Sequence, residues 1–290
     1  MSQELFDEAV HLEEQGQYEK ALAIWRRLAE TNPSRNLFLR LGRLTQNLGA
    51  KDDAEQAFKR ALEIDGKSAM ALRALGIIAI HRADYETAVS FLQRDREIRE
   101  DPGGLSLLGV ALRNAGRDPE AEEAYRIAIR LDPNYEEAHF NLGALLRDSR
   151  PSEAELHLRK ALDLDPDYAT AHRELGFVLM GRRAASEAGR HLRKAVELAP
   201  DDVWAHIYLG SYLWNQDFRA AETEFRIAEN LRPTWSMPLS WLGKLYESKD
   251  LEAARFFFEQ ALQLETIGKR FAGLPASSRN ADKLISQVNT

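Results

Sequence analysis

Apolar residues recur along this chain at three- and four-residue spacings, in successive segments separated by short polar breaks. This spacing is typical of one buried face of an α-helix. The first segment of one adjacent pair carries Leu105, Leu108, Gly109 and Leu112, and the second carries Ala121, Tyr125 and Ala128. Pro119 and Pro151 fall at the start of second segments, where a helix tolerates a missing N–H. The pattern predicts pairs of antiparallel amphipathic helices.

The helix pairs repeat at a fixed period. Successive glycines in one column are separated by alternately 34 and 33 residues: Gly42, Gly76, Gly109, Gly143, Gly176, Gly210 and Gly243. An alanine follows each glycine after 11 or 12 residues: Ala54, Ala88, Ala121, Ala154, Ala188, Ala221 and Ala254. Ala9 and Ala21 begin the series. Because small residues let two helix backbones approach, we expect Gly109 to face Ala121.

Three further columns complete the repeat. A bulky residue stands four positions after each alanine: Trp25, Phe58, Leu92, Tyr125, Leu158, Leu192, Phe225 and Phe258. A second alanine stands seven positions after the first: Ala61, Ala128, Ala161, Ala195, Ala228 and Ala261. Prolines close most units: Pro33, Pro102, Pro133, Pro166, Pro200 and Pro233.

These columns resemble those of the tetratricopeptide repeat family in eight successive units. The units correspond to residues 2–35, 36–68, 69–102, 103–135, 136–168, 169–202, 203–235 and 236–268. The resemblance implies an all-α fold, a right-handed α-solenoid whose first helices line the concave side. In the tail, residues 269–290, Asn280 can begin a short capping helix that carries Leu284, Ile285 and Val288.

Asp95 departs from the repeat, because it occupies a column that is otherwise small or apolar. An unpaired carboxylate at such a buried position would cost several kcal/mol. We therefore expect Asp95 to pair with Arg73, Arg99 or Arg113, or else the third unit to be the loosest joint.

Composition excludes several classes of function. The formal charge of −7 opposes binding to nucleic acid, and no run of 18 apolar residues predicts a membrane span. The absence of cysteine excludes disulfides and thiolate chemistry and suits a reducing compartment. The acidic N-terminal residues differ from a signal peptide, so we expect a cytoplasmic protein.

Motifs for catalysis or cofactor binding are incomplete. The sequence Gly66, Lys67, Ser68 resembles the end of a phosphate-binding loop but lacks its earlier glycine, and Tyr168 replaces the glycine that a calcium loop beginning at Asp163 would need. His139, His172 and His206 share one column, but equivalent atoms of stacked helices lie about 10 Å apart, too far for one metal ion. We expect packing histidines, no cofactor, no metal and no enzyme activity.

The candidate site is the surface left beside the buried stripe. With the glycine column counted as position eight, positions two, five, six, nine and twelve face the concave side. In units two to six they include Arg40, Arg43, Arg73, Arg113, Arg147 and Arg173. In units seven and eight they include Trp204, Ile207, Tyr208, Trp214, Met237 and Trp241. We interpret these sets as a cationic band and an aromatic pole.

This surface predicts a protein or peptide partner with acidic residues and an apolar or aromatic anchor. Family members that bind chaperone carboxyl-termini carry a clamp of Lys, Asn and Arg on three first helices. Asn141 alone occupies a clamp column here, and one asparagine does not form the ladder of the glycosyltransferase relatives.

The sequence therefore favours a non-enzymatic scaffold that binds a protein segment in a concave groove, as a monomer or with weak self-association. The alternative is a substrate-recruiting or regulatory subunit of a separate enzyme. A third interpretation, an RNA-binding repeat, conflicts with the mixed columns and the charge of −7. The identity of the partner, its pathway and its bound conformation are not encoded in any motif.

Overall fold

A computed structural model describes residues 2–182 and 184–271, without the side chains of residues 2, 185 and 267–271. Within these residues the chain forms sixteen α-helices and no strand. In chain order they are α1 Ser2–Glu14, α2 Tyr18–Thr31, α3 Arg35–Asn47, α4 Lys51–Ile64, α5 Ala69–His81, α6 Tyr85–Ile98, α7 Pro102–Asn114, α8 Asp118–Leu131, α9 Glu136–Leu146, α10 Pro151–Leu164, α11 Ala169–Gly181, α12 Ala185–Leu198, α13 Val203–Leu213, α14 Phe218–Leu231, α15 Ser236–Tyr246 and α16 Leu251–Phe271. The all-α prediction is confirmed.

The chain divides into two compact units, one ending at Leu145 and the other beginning at Leu146. In the first unit α3 packs on α4, α5 on α6 and α7 on α8, and each pair contacts the next. In the second unit α11 packs on α12, α13 on α14 and α15 on α16. Each pair buries the small and bulky columns against its neighbours, because no single pair can cover its own apolar stripe.

The glycine column receives a bulky side chain from the second helix of the same pair. A Cβ added at Gly109 would lie 2.4 Å from the Tyr125 ring, and one added at Gly76 would lie 2.6 Å from Leu92 Cγ. The same relation joins Gly42 to Phe58 and Gly210 to Phe225. At the equivalent Gly176, the backbone oxygen of Ala188, which shares the column of Ala121, also lies 3.4 Å from an added Cβ. The expectation that Gly109 faces Ala121 stays a prediction. The bulky residue one turn beyond the alanine fills the space that the missing Cβ leaves.

The turn inside each of the first four pairs uses a left-handed residue at a repeated position. Gly16, Gly49 and Gly116 have φ values of 72°, 76° and 77°, which glycine adopts without steric cost. In the third pair this position is Ala83, with φ 58°, where the Cβ clashes with backbone. Within these four described turns, glycine thus occupies the left-handed position three times and a strained alanine once.

The last part of the chain lies partly outside the described residues. The proposed capping segment with Asn280, Leu284 and Ile285 lies outside the described residues. Helix α16 runs to Phe271, beyond the expected unit boundary at 268. Phe257 and Ala261 on α16 are buried. Several apolar side chains on its other faces are exposed: Leu251, Phe256 and Leu262.

Candidate functional site

In the first unit, Arg73 on α5 is the centre of an ion-pair network. Its Nε donates to Asp95 Oδ2 at 2.7 Å, and its two Nη groups donate to both carboxylate oxygens of Asp101 at 3.1 and 2.6 Å. Asp101 also accepts from the backbone N–H of Gly104 and so begins α7. The prediction that Asp95 pairs with an arginine is confirmed. Arg73 ties α5 to α6 and to the start of α7.

Asp95 itself is almost completely buried, with 1% of its surface exposed. Burial raises the pKa of its carboxyl group, and the hydrogen bond from Arg73 opposes that shift without cancelling it. No described residue donates to its second oxygen, Oδ1. Among the described residues, the Asp95 carboxylate therefore receives its hydrogen bond from Arg73.

Two arginines of the second unit are also paired. Arg147 donates to Glu174 Oε2 at 2.6 Å, and Arg173 donates to Glu174 Oε1 at 2.8 Å and to Asp202. Glu174 is buried on α11. Burial alone would lower the pKa of Arg147, but the Glu174 carboxylate raises it above its ordinary value. Both guanidinium groups are therefore held in place by acidic groups of the chain itself.

In the first unit, Arg40 also pairs with a carboxylate. Its Nε and Nη2 each donate to Glu13 at 3.0 Å, and its guanidinium lies 4.5 Å from the centre of the Trp25 ring. Arg113 donates to the backbone oxygen of Ala144 at 3.4 Å. Arg43 makes no ion pair with any described residue and lines a concavity of about 440 Å³ in the first unit, with Asn36 and Asn47.

The interpretation of the arginines as a free cationic band is therefore corrected. Arg40, Arg73, Arg147 and Arg173 are neutralised by carboxylates from neighbouring helices and loops. Because a paired charge exerts little field at a distance, these side chains would steer an acidic partner far less than six free cations. In the structure, the ion pairs of these four arginines join successive helix pairs.

Asn141 is also engaged within the protein. Its side chain is buried and its Nδ2 donates to Ser106 Oγ at 3.0 Å, across neighbouring first helices of the first unit. The hydroxyl and the amide satisfy each other away from solvent. The expectation that Asn141 contacts a partner is not supported by this geometry, because its hydrogen-bonding group faces the core.

The histidine column has a structural role that spacing alone did not indicate. In all three cases Nε2 contacts the carbonyl oxygen of the proline six residues earlier: His139 with Pro133, His172 with Pro166, and His206 with Pro200, at 2.9 to 3.1 Å. Each imidazole ring thus links its helix to a backbone carbonyl of the preceding loop. Among residues 2–182 and 184–271 no group of three or more His, Asp or Glu side chains has the geometry of a metal site.

His206 differs from the other two in its second partner. Its Nδ1 lies 2.7 Å from Glu224 Oε2, so both ring nitrogens face groups that can only accept. Burial opposes a charge here, but the Glu224 carboxylate and the Pro200 carbonyl together raise the pKa of His206. The geometry therefore favours the imidazolium form.

The aromatic pole forms an open pocket of about 460 Å³ in the second unit. Its walls come from the first helices α11, α13 and α15, from the loop before α15, and from Arg147 and Glu265. The lining residues are Arg147, Phe177, Trp204, Ile207, Tyr208, Trp235, Ser236, Met237, Ser240, Trp241, Lys244 and Glu265. Trp204, Tyr208, Trp241 and Arg147 from the sequence-based set are therefore brought together at one site.

Aromatic rings follow one another along this pocket. The Phe177 and Tyr208 ring centres are 4.8 Å apart, those of Tyr208 and Trp204 are 5.7 Å apart, and those of Trp204 and Trp235 are 5.0 Å apart. Trp204 is 38% exposed, which is unusual for so large an apolar side chain. Trp204 thus presents an aromatic face to solvent at this pocket, whereas Tyr208 beside it is buried.

The charged and polar groups of the pocket contact its aromatic rings or one another. Arg147 lies 5.1 Å from the Phe177 ring centre, and Lys244 lies 5.0 Å from the Trp241 ring centre. The Ser236 hydroxyl donates to Glu265 at 3.1 Å. Burial raises the pKa of Tyr208, and the neighbouring Glu174 carboxylate raises it further. Tyr208 therefore stays a neutral phenol.

Trp214 does not line this pocket, contrary to expectation. Its ring packs edge-on against Phe225 at 6.4 Å and Trp241 at 5.9 Å. Helix α13 ends at Leu213, so the side chain of the next residue turns back onto α14. Trp214 supports the wall formed by Trp241 from behind.

Sequence reasoning missed six lining residues: Phe177, Trp235, Ser236, Ser240, Lys244 and Glu265. Phe177 and Lys244 occupy position nine of their helices, a column already assigned to the concave side, so the period could have identified them. Trp235 lies in the loop immediately before α15, where helical periodicity gives no signal. Its position became evident only from the packing against Trp204.

Among the described residues, no helix combines the length and the apolar character that crossing a bilayer requires. A family model described as "Tetratricopeptide repeat" matches residues 6–69, 39–104 and 143–203. A second model, described as "TPR repeat", matches residues 109–148. Together these matches cover more than half of the chain.

Two curated relatives share part of this sequence. The chain is 28% identical over 136 residues to Protein O-mannosyl-transferase TMTC1 of Homo sapiens and 31% identical over 123 residues to Protein O-mannosyl-transferase Tmtc3 of Drosophila melanogaster. These regions cover 45% and 41% of this chain but only 15% and 13% of the relatives. The chain therefore matches a small part of each relative's length.

Solved structures share the fold at low sequence identity. The Cut9–Hcn1 hetero-tetramer of APC/C matches with a TM-score of 0.70 at 17% identity, over 82% of this chain and 48% of the matched chain. A tetratricopeptide repeat protein from Parabacteroides merdae matches with a TM-score of 0.67 at 13% identity, over 90% and 98%. YrrB, described as a TPR protein with an unusual peptide-binding site, matches with a TM-score of 0.51 at 22% identity, over 62% and 95%.

Proposed function

Because the chain belongs to the tetratricopeptide repeat family, we propose that it is a non-enzymatic scaffold that binds a protein segment in the aromatic pocket of its second unit. The observation that carries this proposal is the pocket itself: a row of aromatic rings, supplied by successive first helices and one loop, around an open space of about 460 Å³. Exposed Trp and Tyr clusters are the groups that most often dominate the free energy of protein association.

The free energy of packing supports the same conclusion. The exposed part of the Trp204 ring contributes no hydrophobic free energy while it remains in water. If a partner covered it, each Å² of apolar surface removed from water would contribute about 25 cal/mol to binding. The pocket is already formed by packed helices, so binding requires little ordering of the protein. The anchor of the partner would therefore be an apolar or aromatic group.

The sequence based an acidic partner on six arginines, whereas the structure leaves fewer of them available to bind one. Arg43 makes no ion pair with a described residue and lines a concavity of the first unit together with Asn36 and Glu13. The Glu13 carboxylate in that concavity is already paired with Arg40. We assign a second, polar contact with an acidic side chain to Arg43 rather than to the whole arginine set. The cytoplasmic location and the absence of nucleic-acid binding remain part of the proposal, on the grounds of the cysteine-free and acidic composition.

Affinity purification with matched variants tests the proposal. Trp204→Ala removes an exposed ring of the pocket, and Phe256→Ala removes an exposed ring of α16 that lies outside it. We expect the unmodified chain and the Phe256→Ala variant to retain the same partner. Trp204→Ala should weaken binding by about 2 kcal/mol, roughly 30-fold, mainly through faster dissociation.

Trp241 is a less suitable target, because its ring also stacks on the buried Phe225 and its removal would disturb the core. If Trp204→Ala retains the partner as well as Phe256→Ala does, and circular dichroism shows both folded, the pocket is not the binding site.

A second candidate function is favoured by one observation. The two curated relatives are named as O-mannosyl-transferases, and the part they share with this chain is a small fraction of their length. A repeat region of this kind would suit a substrate-recruiting or regulatory subunit of a separate enzyme. Co-purification of an enzyme whose activity requires this chain would favour that function over a scaffold alone.

A further inference from the structure

Two histidines of the second unit face each other across one helix pair. His172 on α11 and His191 on α12 have their Nδ1 atoms 2.8 Å apart and their ring centres 5.0 Å apart. Neither residue lines the aromatic pocket. Because a hydrogen bond needs one donor and one acceptor, only one of the two Nδ1 atoms carries a proton while this contact is intact.

The other ring nitrogens determine which Nδ1 atom donates. His172 Nε2 lies 2.9 Å from the carbonyl oxygen of Pro166, which can only accept, so this Nε2 carries a proton. A neutral His172 therefore accepts at Nδ1, and His191 donates from its own Nδ1. The Nε2 of His191 is then unprotonated and lies 3.8 Å from Glu187. The contact is complete with both rings neutral.

Only one further proton fits this arrangement. It can bind at His191 Nε2, because both existing hydrogen bonds remain. A second proton would have to bind at His172 Nδ1, and two N–H groups 2.8 Å apart on charged rings repel each other. Full protonation of both rings is therefore incompatible with the folded geometry, whereas in the unfolded chain both take up a proton near about pH 6.5.

Charges on the neighbouring helices also act on this contact. Burial lowers the pKa of His191, and the adjacent His172 lowers it further. Glu187 on α12 opposes the shift, but its carboxylate is paired with Arg159 of α10 at 2.7 Å. Arg159 and Arg190 both act in the direction of a lower pKa. The surroundings therefore favour the neutral ring.

Helix α13 limits how the helix pair can adjust. Its Tyr212 ring packs so closely on α12 that a Cβ added at Gly189 would lie 2.4 Å from the ring. Helix α12 thus contacts α11 on one side and α13 on the other. A repulsion between the two histidines would act on packed helices.

The next repeat has the opposite arrangement at the same two positions. His206 occupies the column of His172, and Glu224 occupies the column of His191. The Nδ1 of His206 lies 2.7 Å from that carboxylate, so protonation of the ring adds an ion pair. One position of the second helix therefore determines whether acid weakens or strengthens the pair.

We propose that the α11–α12 pair is an acid-sensitive joint of the second unit, held at neutral pH by the His172–His191 contact and loosened when both rings are protonated. The folded pair binds fewer protons than the unfolded chain. Its contribution to stability is therefore fully present above about pH 6.5 and is lost as the pH falls through the lowered folded pKa of His191. This inference does not depend on the aromatic pocket or on a partner.

Hydrogen–deuterium exchange of the full chain, followed by mass spectrometry, measures the opening of each helix pair separately. Protection factors, corrected for the intrinsic exchange rate, are compared at pH 8 and pH 5. We expect the protection of α11–α12 to fall about tenfold more than that of α13–α14, because a pKa difference of about one unit corresponds to a tenfold change in equilibrium.

Two substitutions and a matched control assign the effect to the histidine contact. His191→Gln gives His172 an amide that can donate or accept, so the extra loss should disappear. Glu224→His gives His206 a histidine partner and should create an acid-dependent loss in α13–α14. His11→Gln makes the same chemical change at an exposed ring that contacts Gln15, and it should leave the extra loss unchanged. Circular dichroism at pH 8 checks the fold of each variant.

The proposal is overturned if α11–α12 of the unmodified chain loses no more protection than α13–α14. It is also overturned if His191→Gln keeps the full acid-dependent loss, because another group would then be responsible. If Glu224→His does not fold, the comparison of His191→Gln with His11→Gln decides the question. Nitrogen-15 NMR of the histidine rings needs no variant: a charged ring at His172 or His191 at pH 8 would contradict the neutral pair.

Discussion

Removing Arg73 should destabilise the first unit more than removing its partner Asp95. Without Arg73, a carboxylate that is 1% exposed loses its only described donor, and breaking a buried pair in this way typically costs about 3–5 kcal/mol. Without Asp95, Arg73 keeps both hydrogen bonds to Asp101, at 3.1 and 2.6 Å. We therefore expect Arg73→Ala to cost about 3–5 kcal/mol and Asp95→Ala about 1–2 kcal/mol.

Urea denaturation followed by circular dichroism measures both changes, provided that the slope with denaturant stays constant. Arg26→Ala is the matched control, because Arg26 pairs with Asp53 in the same unit but both side chains are about half exposed. That variant should lose less than about 1 kcal/mol. The reasoning is refuted if the Asp95→Ala variant loses as much free energy of unfolding as Arg73→Ala, or more.

Three further predictions concern single groups. Ala83→Gly should raise the free energy of unfolding by about 0.5–1 kcal/mol, because Ala83 has φ 58° where equivalent turns use glycine, and the reverse change Gly49→Ala should lower it. Tyr125→Phe should be neutral or stabilising by about 1 kcal/mol in thermal melts, because the buried Tyr125 hydroxyl has no described partner. The free energy that His206 contributes should be fully present below about pH 6.5 and lost as pH rises through its raised folded pKa, so His206→Gln should lose more stability at pH 6 than at pH 9.

Each of these has a distinct contrary result. If Ala83→Gly and Gly49→Ala changed the free energy of unfolding in the same direction and by the same amount, the positive φ would not determine the stability of these turns. A clear loss from Tyr125→Phe, comparable with that of Tyr135→Phe, would mean that the Tyr125 hydroxyl is satisfied, because Tyr135 donates to Glu137 at 2.6 Å. A pH-independent difference between His206→Gln and the unmodified chain would mean that the ring stays neutral in the folded state.

The period of the sequence predicted the helix pairs well, because burial of a stripe on every helix needs the same small and bulky residues in every unit. It did not predict that Gly109 receives Tyr125, since a column identifies a face but not which side chain fills it. The pairing of Arg147 with Glu174 depends on residues 27 positions apart on different elements, so no local pattern contains it. Trp235 was missed because loop residues have no period.

Site-specific photo-crosslinking tests the claim of a binding pocket most directly. A diazirine-bearing amino acid is introduced at position 237, where Met237 lines the pocket, and separately at position 256, where Phe256 is 54% exposed outside it. Both proteins are irradiated with the co-purified partner, and the crosslinked peptide is identified by mass spectrometry. The account predicts one partner segment crosslinked from position 237 and absent from position 256. Crosslinks from position 256 with none from position 237 would contradict it.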